Sequence, residues 1–96
     1  MRERELYIQT FQAKIDEWRA EAKALRAKAE GAGAEAQLQA LRELESLERQ
    51  IEDAERRLEA LSEAGDDAWS AIQAGAEEAW SALSDGFRTA AERFRS

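Results

Sequence analysis

Two pairs of carboxylates are the residues whose types and spacing best suit acid–base catalysis. Asp66 with Asp67, and Glu77 with Glu78, recur at an interval of eleven residues. Neighbouring carboxylates can divide the roles of general acid and general base when their surroundings separate their pKa values. On a helix, however, eleven residues span about 16 Å, which is too far for the two pairs to share one metal ion. We therefore interpret both pairs as part of a solvated helix face.

The chain lacks the other residue types on which most enzymes depend. It has no cysteine and no histidine, and therefore no thiolate nucleophile, no soft metal ligand and no Glu-x-x-His motif of the di-iron helical bundles. No glycine-rich phosphate loop follows a strand, because no strand is predicted. We predict a protein that is not an enzyme and that carries no cofactor and no metal.

Composition and charge favour a helical protein that avoids nucleic acid. Ala, Glu, Lys, Leu and Arg make up 60 of the 96 residues and proline is absent, a composition typical of coiled coils and long helices. The net charge of -7 opposes binding to phosphate backbones or anionic lipid. The N-terminal segment is charged and lacks the apolar run of a signal peptide, so we expect a cytoplasmic protein. A chain of this length predicts a single helical domain over 1–96.

The first predicted helix, residues 2–30, has apolar residues at alternating steps of three and four. This spacing is a heptad seam along one helix face. Its members are Ile8, Phe11, Ile15, Trp18, Ala22, Leu25 and Ala29.

The second predicted helix, residues 35–64, has a seam of the same spacing. Its members are Leu44, Leu47, Ile51, Ala54, Leu58 and Leu61. Between the two helices lies EGAGAE, residues 30–35, where Gly31 and Gly33 each cost a helix up to about 1 kcal/mol relative to alanine. This segment is either a turn or a stutter within one continuous helix, and the spacing of the seams is compatible with both.

The third predicted helix, residues 66–94, contains the same tryptophan-centred phrase twice. The first phrase is DDAWSAIQAGA, residues 66–76, and the second is EEAWSALSDGF, residues 77–87. Eleven residues take three turns, so the apolar stripe runs almost straight along the helix. Its members are Trp69, Ile72, Ala76, Trp80, Leu83, Phe87, Ala91 and Phe94. We expect Gly65 to end the preceding helix in the left-handed conformation and Asp66 to cap this one.

Together these patterns predict an all-α fold, a three-helix coiled-coil-like unit built from two heptad helices and one eleven-residue-repeat helix. Residues 1–30 hold seven basic and six acidic groups, net +1, and residues 31–64 hold four and nine, net -5. The first helix should therefore pack on the second. If EGAGAE turns, both come from one chain; if it stays helical, a partner chain donates the first helix by swapping.

Two longer stretches carry a resemblance to a known family. RELYIQTFQAKIDEW and EAGDDAWSAIQAGAEEAWSALSDGFRTAAERF resemble a family of small bacterial coiled-coil proteins, some of which are labelled as stress-response proteins. The resemblance implies a coiled-coil protein with a role in stress, and it brings no catalytic residues with it.

Two functional interpretations remain open for the tryptophans at positions 18, 69 and 80. If they fill the core, the protein is a structural or interaction protein, a homo-oligomer or the partner of another protein. If they meet lipid, the 66–94 helix binds membrane surfaces reversibly, since eleven-residue repeats resemble those of exchangeable apolipoproteins. Residues 65–96 hold three basic and six acidic groups, net -3, and this acidic charge opposes the lipid interpretation.

Overall fold

Three helices account for nearly all of the part of the chain that the structure describes. The computed structural model describes residues 2–94, and side chains from residue 3 to residue 93. Helix α1 spans Arg2–Glu30, α2 spans Ala34–Glu63 and α3 spans Asp66–Phe94. The helices pack against one another in a rod of 51 × 18 × 17 Å. The chain is thus an all-α three-helix bundle, and the predicted fold class is confirmed.

The segment EGAGAE contains the turn between α1 and α2, at residues 31–33. The backbone N–H groups of Gly31 and Ala32 donate to the carbonyls of Lys28 and Ala29, at 3.2 and 3.0 Å, and so close the last turn of α1. Gly33 is extended, with φ -66° and ψ 162°. Of the two alternatives that the sequence left open, the structure contains the turn, and α1 packs on α2 of its own chain.

The second turn differs from the prediction. Helix α2 ends at Glu63, and no glycine in residues 2–94 has a positive φ, so Gly65 does not adopt the predicted left-handed conformation. The extended backbone of Ala64, with φ -69° and ψ 135°, makes the turn instead. The Gly65 carbonyl accepts hydrogen bonds from the N–H groups of Ala68 and Trp69. Gly65 therefore holds the cap position predicted for Asp66, which lies inside the first turn of α3.

Both heptad seams lie in the core. On α1, Ile8 is half-buried and the other six members are buried; on α2, all six predicted members are buried and Ala40 joins them. Among the described side chains, the core contains no polar or charged residue. The core is therefore apolar along the whole rod.

The stripe on α3 changes its spacing near its end. Ala76, Leu83 and Phe87 are buried, whereas Trp69, Ile72 and Trp80 are half-buried. After Phe87 the next buried residue is Ala90, and the predicted Ala91 is exposed. The prediction was wrong there because Ala76, Leu83 and Ala90 follow a heptad spacing, which matches that of α1 and α2. Phe94 ends α3, and its side chain lies outside the described residues.

Ion pairs join the helices at intervals along the rod. Arg19 with Glu55, and Arg26 with Glu48 at 2.5 Å, join α1 to α2, the pairing that the charge balance predicted. The ends of α3 are joined to α1 and α2 by two further pairs, Arg4 with Asp66 and Arg93 with Glu43. All are partly exposed, so each contributes less than about 1 kcal/mol. Their positions show that α1 and α3 run parallel and that α2 runs antiparallel to both.

Candidate functional site

Aromatic side chains from α1 and α3 form a ladder between these two parallel helices. Near its start, Trp69 meets Tyr7 with ring centroids 6.1 Å apart and planes at 74°. One phrase further on, Trp80 meets Phe11 at 5.0 Å and 87°. Both contacts set the positive edge of one ring against the negative face of the other, which is the favoured geometry. The tryptophans of both phrases therefore face α1.

Trp18 continues the ladder into the buried centre of the bundle. Its ring lies edge to face with Trp80, at 5.5 Å between centroids, and stacks on Phe87 at 6.3 Å. Trp18 is 1% exposed, while Trp80 is only half-buried. The ladder thus reaches from the core at Trp18 to the surface at Trp80.

The glycines of the two phrases face α2. A Cβ added to Gly75 would lie 2.6 Å from Nη1 of Arg57, and one added to Gly86 would lie 2.7 Å from Cδ2 of Leu47. At Gly86 the neighbour is a buried side chain, so the close approach depends on the missing Cβ, whereas at Gly75 the neighbour is the end of a flexible arginine. Each eleven-residue phrase therefore turns its tryptophan toward α1 and its glycine toward α2.

A groove lies between α1 and α3 on the outer side of the ladder. The large aromatic rings separate these two helices, whereas α2 packs closely on both. The groove has a volume of about 320 Å³, and we refer to it as the α1/α3 groove. Its lining residues are Tyr7, Thr10, Glu77, Trp80 and Ser81.

Glu77 gives this groove a negative charge. Among the described side chains, no basic group lies within ion-pair distance of its carboxylate. The pKa of Tyr7 is raised above its ordinary value of 10.0, by burial first and by the Glu77 carboxylate second, and a hydrogen bond with Gln73 opposes the shift. A groove lined by a carboxylate and aromatic rings is a suitable environment for a cation.

At the equivalent place in the first phrase, α1 supplies a cation. Nη1 of Arg4 lies 2.8 Å from Oδ1 of Asp66, and the guanidinium group lies over the ring of Trp69, 4.7 Å from its centroid. Asp66 and Trp69 precede Glu77 and Trp80 by eleven residues each. The second phrase therefore repeats the carboxylate and the indole of this arrangement.

The next basic residue along α1 is used elsewhere. Lys14 pairs with Glu17 at 3.3 Å, and its Nζ lies over the ring of Trp18, 5.6 Å from the centroid. Lys14 is therefore not the counterpart of Arg4 for the second phrase.

Within each of the two carboxylate pairs of α3, the two members have different surroundings. Asp66 pairs with Arg4 and Glu77 lines the groove, whereas Asp67 forms no ion pair with a described side chain and Glu78 does not line the groove. No group of three or more Asp or Glu residues among those described is placed to hold a metal ion. All four carboxylates are exposed, as the interpretation of a solvated face predicted, and Asp66 and Glu77 in addition have the neighbours described above.

The sequence patterns did not identify several residues of this region. Tyr7 lies beside the heptad seam, one position before Ile8, and Gly75 and Gly86 repeat within the phrases as regularly as the tryptophans do. The repeated glycine was the signal that could have predicted the close contact with α2. The groove itself left no such signal, because it depends on which helices become neighbours.

Comparison with family models, with curated proteins and with solved structures found no match to this chain. The family resemblance of the two sequence stretches therefore stays a prediction.

None of the helices in residues 2–94 combines the length and the apolar character that crossing a membrane would require.

Proposed function

We propose that this chain is a non-enzymatic structural or interaction protein that binds a helical segment in the α1/α3 groove. The single observation that carries the proposal is the half-buried Trp80 in the lining of a groove between two parallel helices. Tryptophan is enriched at protein interfaces because its large ring contributes contact area at a small entropic cost. A groove between two helices is also a common way of receiving a third.

The helical segment belongs either to a second copy of the chain or to another protein. Self-association is supported by the thin core, in which alanine supplies six of the seventeen buried residues. A role under stress and a cytoplasmic location belong to the same proposal, and both rest on the sequence alone.

Lipid-surface binding through residues 66–94 is the alternative. The half-buried Trp69 and Trp80 favour it, because part of each ring faces outward. Two observations weigh against it. Both tryptophans already pack against aromatic residues of α1, and α3 has no basic residue before Arg88, whereas interfacial helices are usually rich in Lys and Arg.

Sedimentation of two matched variants tests the proposal for self-association. Ser81→Lys places an amine in the groove, four residues after Glu77, while Ala82→Lys places the same group four residues after Glu78, outside the groove lining. We expect wild type and Ala82→Lys to sediment faster as their concentration rises, and Ser81→Lys to remain monomeric. Monomeric wild type at every concentration would rule out self-association and leave a different protein as the partner.

A vesicle titration followed by tryptophan emission distinguishes lipid binding from protein binding. Emission that is unchanged by zwitterionic and by anionic vesicles supports the protein-binding proposal. A blue shift on adding vesicles, accompanied by loss of the α1 contacts, would favour lipid binding.

A further inference from the structure

The two phrases of α3 contain the same carboxylate and the same indole, but only the first has an arginine between them. In the first phrase, Arg4 contacts both Asp66 and Trp69. In the second, Glu77 and Trp80 line an open groove, and no described basic group is within ion-pair distance of Glu77. From this internal comparison we propose that the α1/α3 groove binds an arginine side chain presented by a helix of a partner protein.

The chemistry of the groove suits a guanidinium group better than a neutral side chain. Its planar cation can stack on the face of Trp80 or Tyr7 while its N–H groups donate to the Glu77 carboxylate. Thr10 and Ser81 supply hydroxyl oxygens at the rim, which can accept the remaining N–H groups. Arg4 makes the same two kinds of contact with the first phrase.

The charge of the surrounding surface favours a basic partner. From Asp66 to Phe87, α3 carries five acidic residues and no basic one. A partner helix with arginine facing the groove would meet complementary charge, whereas an acidic helix would be repelled. A second copy of this chain, with its net charge of -7, is a poorer source of that arginine than a basic helix.

Glu77 lowers the free energy of the bound cation without being needed for the fold. It is exposed, and it forms no ion pair with another described side chain. Removing its charge should therefore weaken binding and leave the bundle intact. Glu78 is the matched control, because it is adjacent, equally acidic and exposed, and does not line the groove.

The inference rests on the proposed function, since it names the partner of the same groove. Its probes are two alanine-rich helical peptides with leucines three residues before and four residues after a central position, which bring all three onto one face. One peptide has arginine at the centre, and the other has citrulline, which keeps the shape and removes the charge. The readout is the indole N–H signal of Trp80 in the full chain, followed by NMR beside those of Trp18 and Trp69.

We expect the arginine peptide to shift the Trp80 signal and to bind about fivefold to tenfold more tightly than the citrulline peptide. Glu77→Gln should abolish that preference, and Glu78→Gln should retain it. Equal weakening by the two substitutions would overturn the inference, because it would show attraction by the overall charge alone.

Two further results distinguish the inference from the function on which it rests. If both peptides shift Trp80 with equal affinity, the groove binds helices, the proposed function stands and the arginine preference is wrong. If neither peptide shifts Trp80, the groove does not receive a helix, and both proposals fail.

Discussion

Cδ2 of Leu47 on α2 lies 2.7 Å from the point where a Cβ on Gly86 of α3 would stand. The contact is between a buried side chain and a backbone, so neither partner can move away cheaply. Gly75 makes the corresponding approach one phrase earlier, but there its neighbour is the end of the flexible side chain of Arg57. The two glycines therefore occupy the same place in the repeat and differ in what a methyl group would displace.

Alanine should stabilise the protein at position 75 but not at position 86. Gly75→Ala gains up to about 1 kcal/mol of helix propensity, because the Arg57 guanidinium can swing aside. Gly86→Ala gains the same propensity but forces Leu47 to shift, and overpacking costs about 1–3 kcal/mol. We expect urea denaturation to show a higher free energy of unfolding for Gly75→Ala and an unchanged or lower one for Gly86→Ala. Equal gains in both variants would contradict the close packing of Gly86.

The tryptophans should differ in their contribution to stability. Trp18 is 1% exposed and contacts both Trp80 and Phe87, so Trp18→Ala should cost about 3–5 kcal/mol. Trp69 is half-buried near the end of the rod, and Trp69→Ala should cost less than half as much. Thermal unfolding followed by far-UV circular dichroism measures both. A larger loss for Trp69 would mean that the core is centred at the other end of the ladder.

Ionisation of Tyr7 should destabilise the folded protein at alkaline pH. It is the only tyrosine, so phenolate absorbance reports its titration directly. Burial and Glu77 raise the pKa of Tyr7 above 10.0, and its contribution to stability is fully present below the unfolded-state pKa. That contribution is lost as the pH rises through the higher folded-state pKa. We expect a phenolate midpoint above 10 in the folded protein, and less loss of stability above pH 10 in Tyr7→Phe than in wild type.

The substitutions Glu77→Gln and Glu78→Gln separate the effect of burial on the pKa of Tyr7 from the effect of the Glu77 charge. Glu77→Gln should lower the midpoint of Tyr7 while leaving it above the ordinary value, because burial is the larger cause. Glu78→Gln should leave the midpoint close to that of wild type. An unchanged midpoint in Glu77→Gln would mean that this carboxylate lies farther from the phenol than the structure places it.

The turn at Gly31 and Gly33 should control whether the chain swaps its first helix. Neither glycine has a positive φ, and a Cβ at either position would meet nothing closer than 3.6 Å, so alanine fits the turn. Alanine also favours a continuous helix by about 1 kcal/mol at each position. The double variant Gly31→Ala/Gly33→Ala should therefore populate a helix-swapped dimer, which light scattering after size-exclusion chromatography would detect. A strictly monomeric variant would show that packing of α1 on its own α2 outweighs helix propensity.

The heptad arithmetic of α1 and α2 predicted their buried faces because both seams are long and have one period. On α3 the eleven-residue spacing failed at Ala91, since Phe87 is followed by a buried residue after three positions and not after four. Gly65 was misassigned because an extended backbone at Ala64 makes the turn without a left-handed residue. Backbone choices of this kind differ by little energy, and local residue preference alone does not decide them.

The groove depends on contacts between helices, which no single helix pattern contains. Glu77 has the sequence surroundings of a solvated carboxylate, and its place beside Tyr7 follows from the parallel alignment of α1 and α3. That alignment depends in turn on where the two turns occur. The repeated glycines gave a visible clue only to the close contact with α2, which lies on a different face of α3 from the groove.

The up-down-up order of the three helices places residues 2 and 94 at opposite ends of a rod 51 Å long. A tension applied between those two residues would act along the helix axes and load the contacts in shear. The aromatic ladder and the glycine contacts would then share the force, because helices that slide must break them together. If the helices were instead separated from one end, the same contacts would break one after another. The bundle should therefore resist stretching along its length far better than peeling.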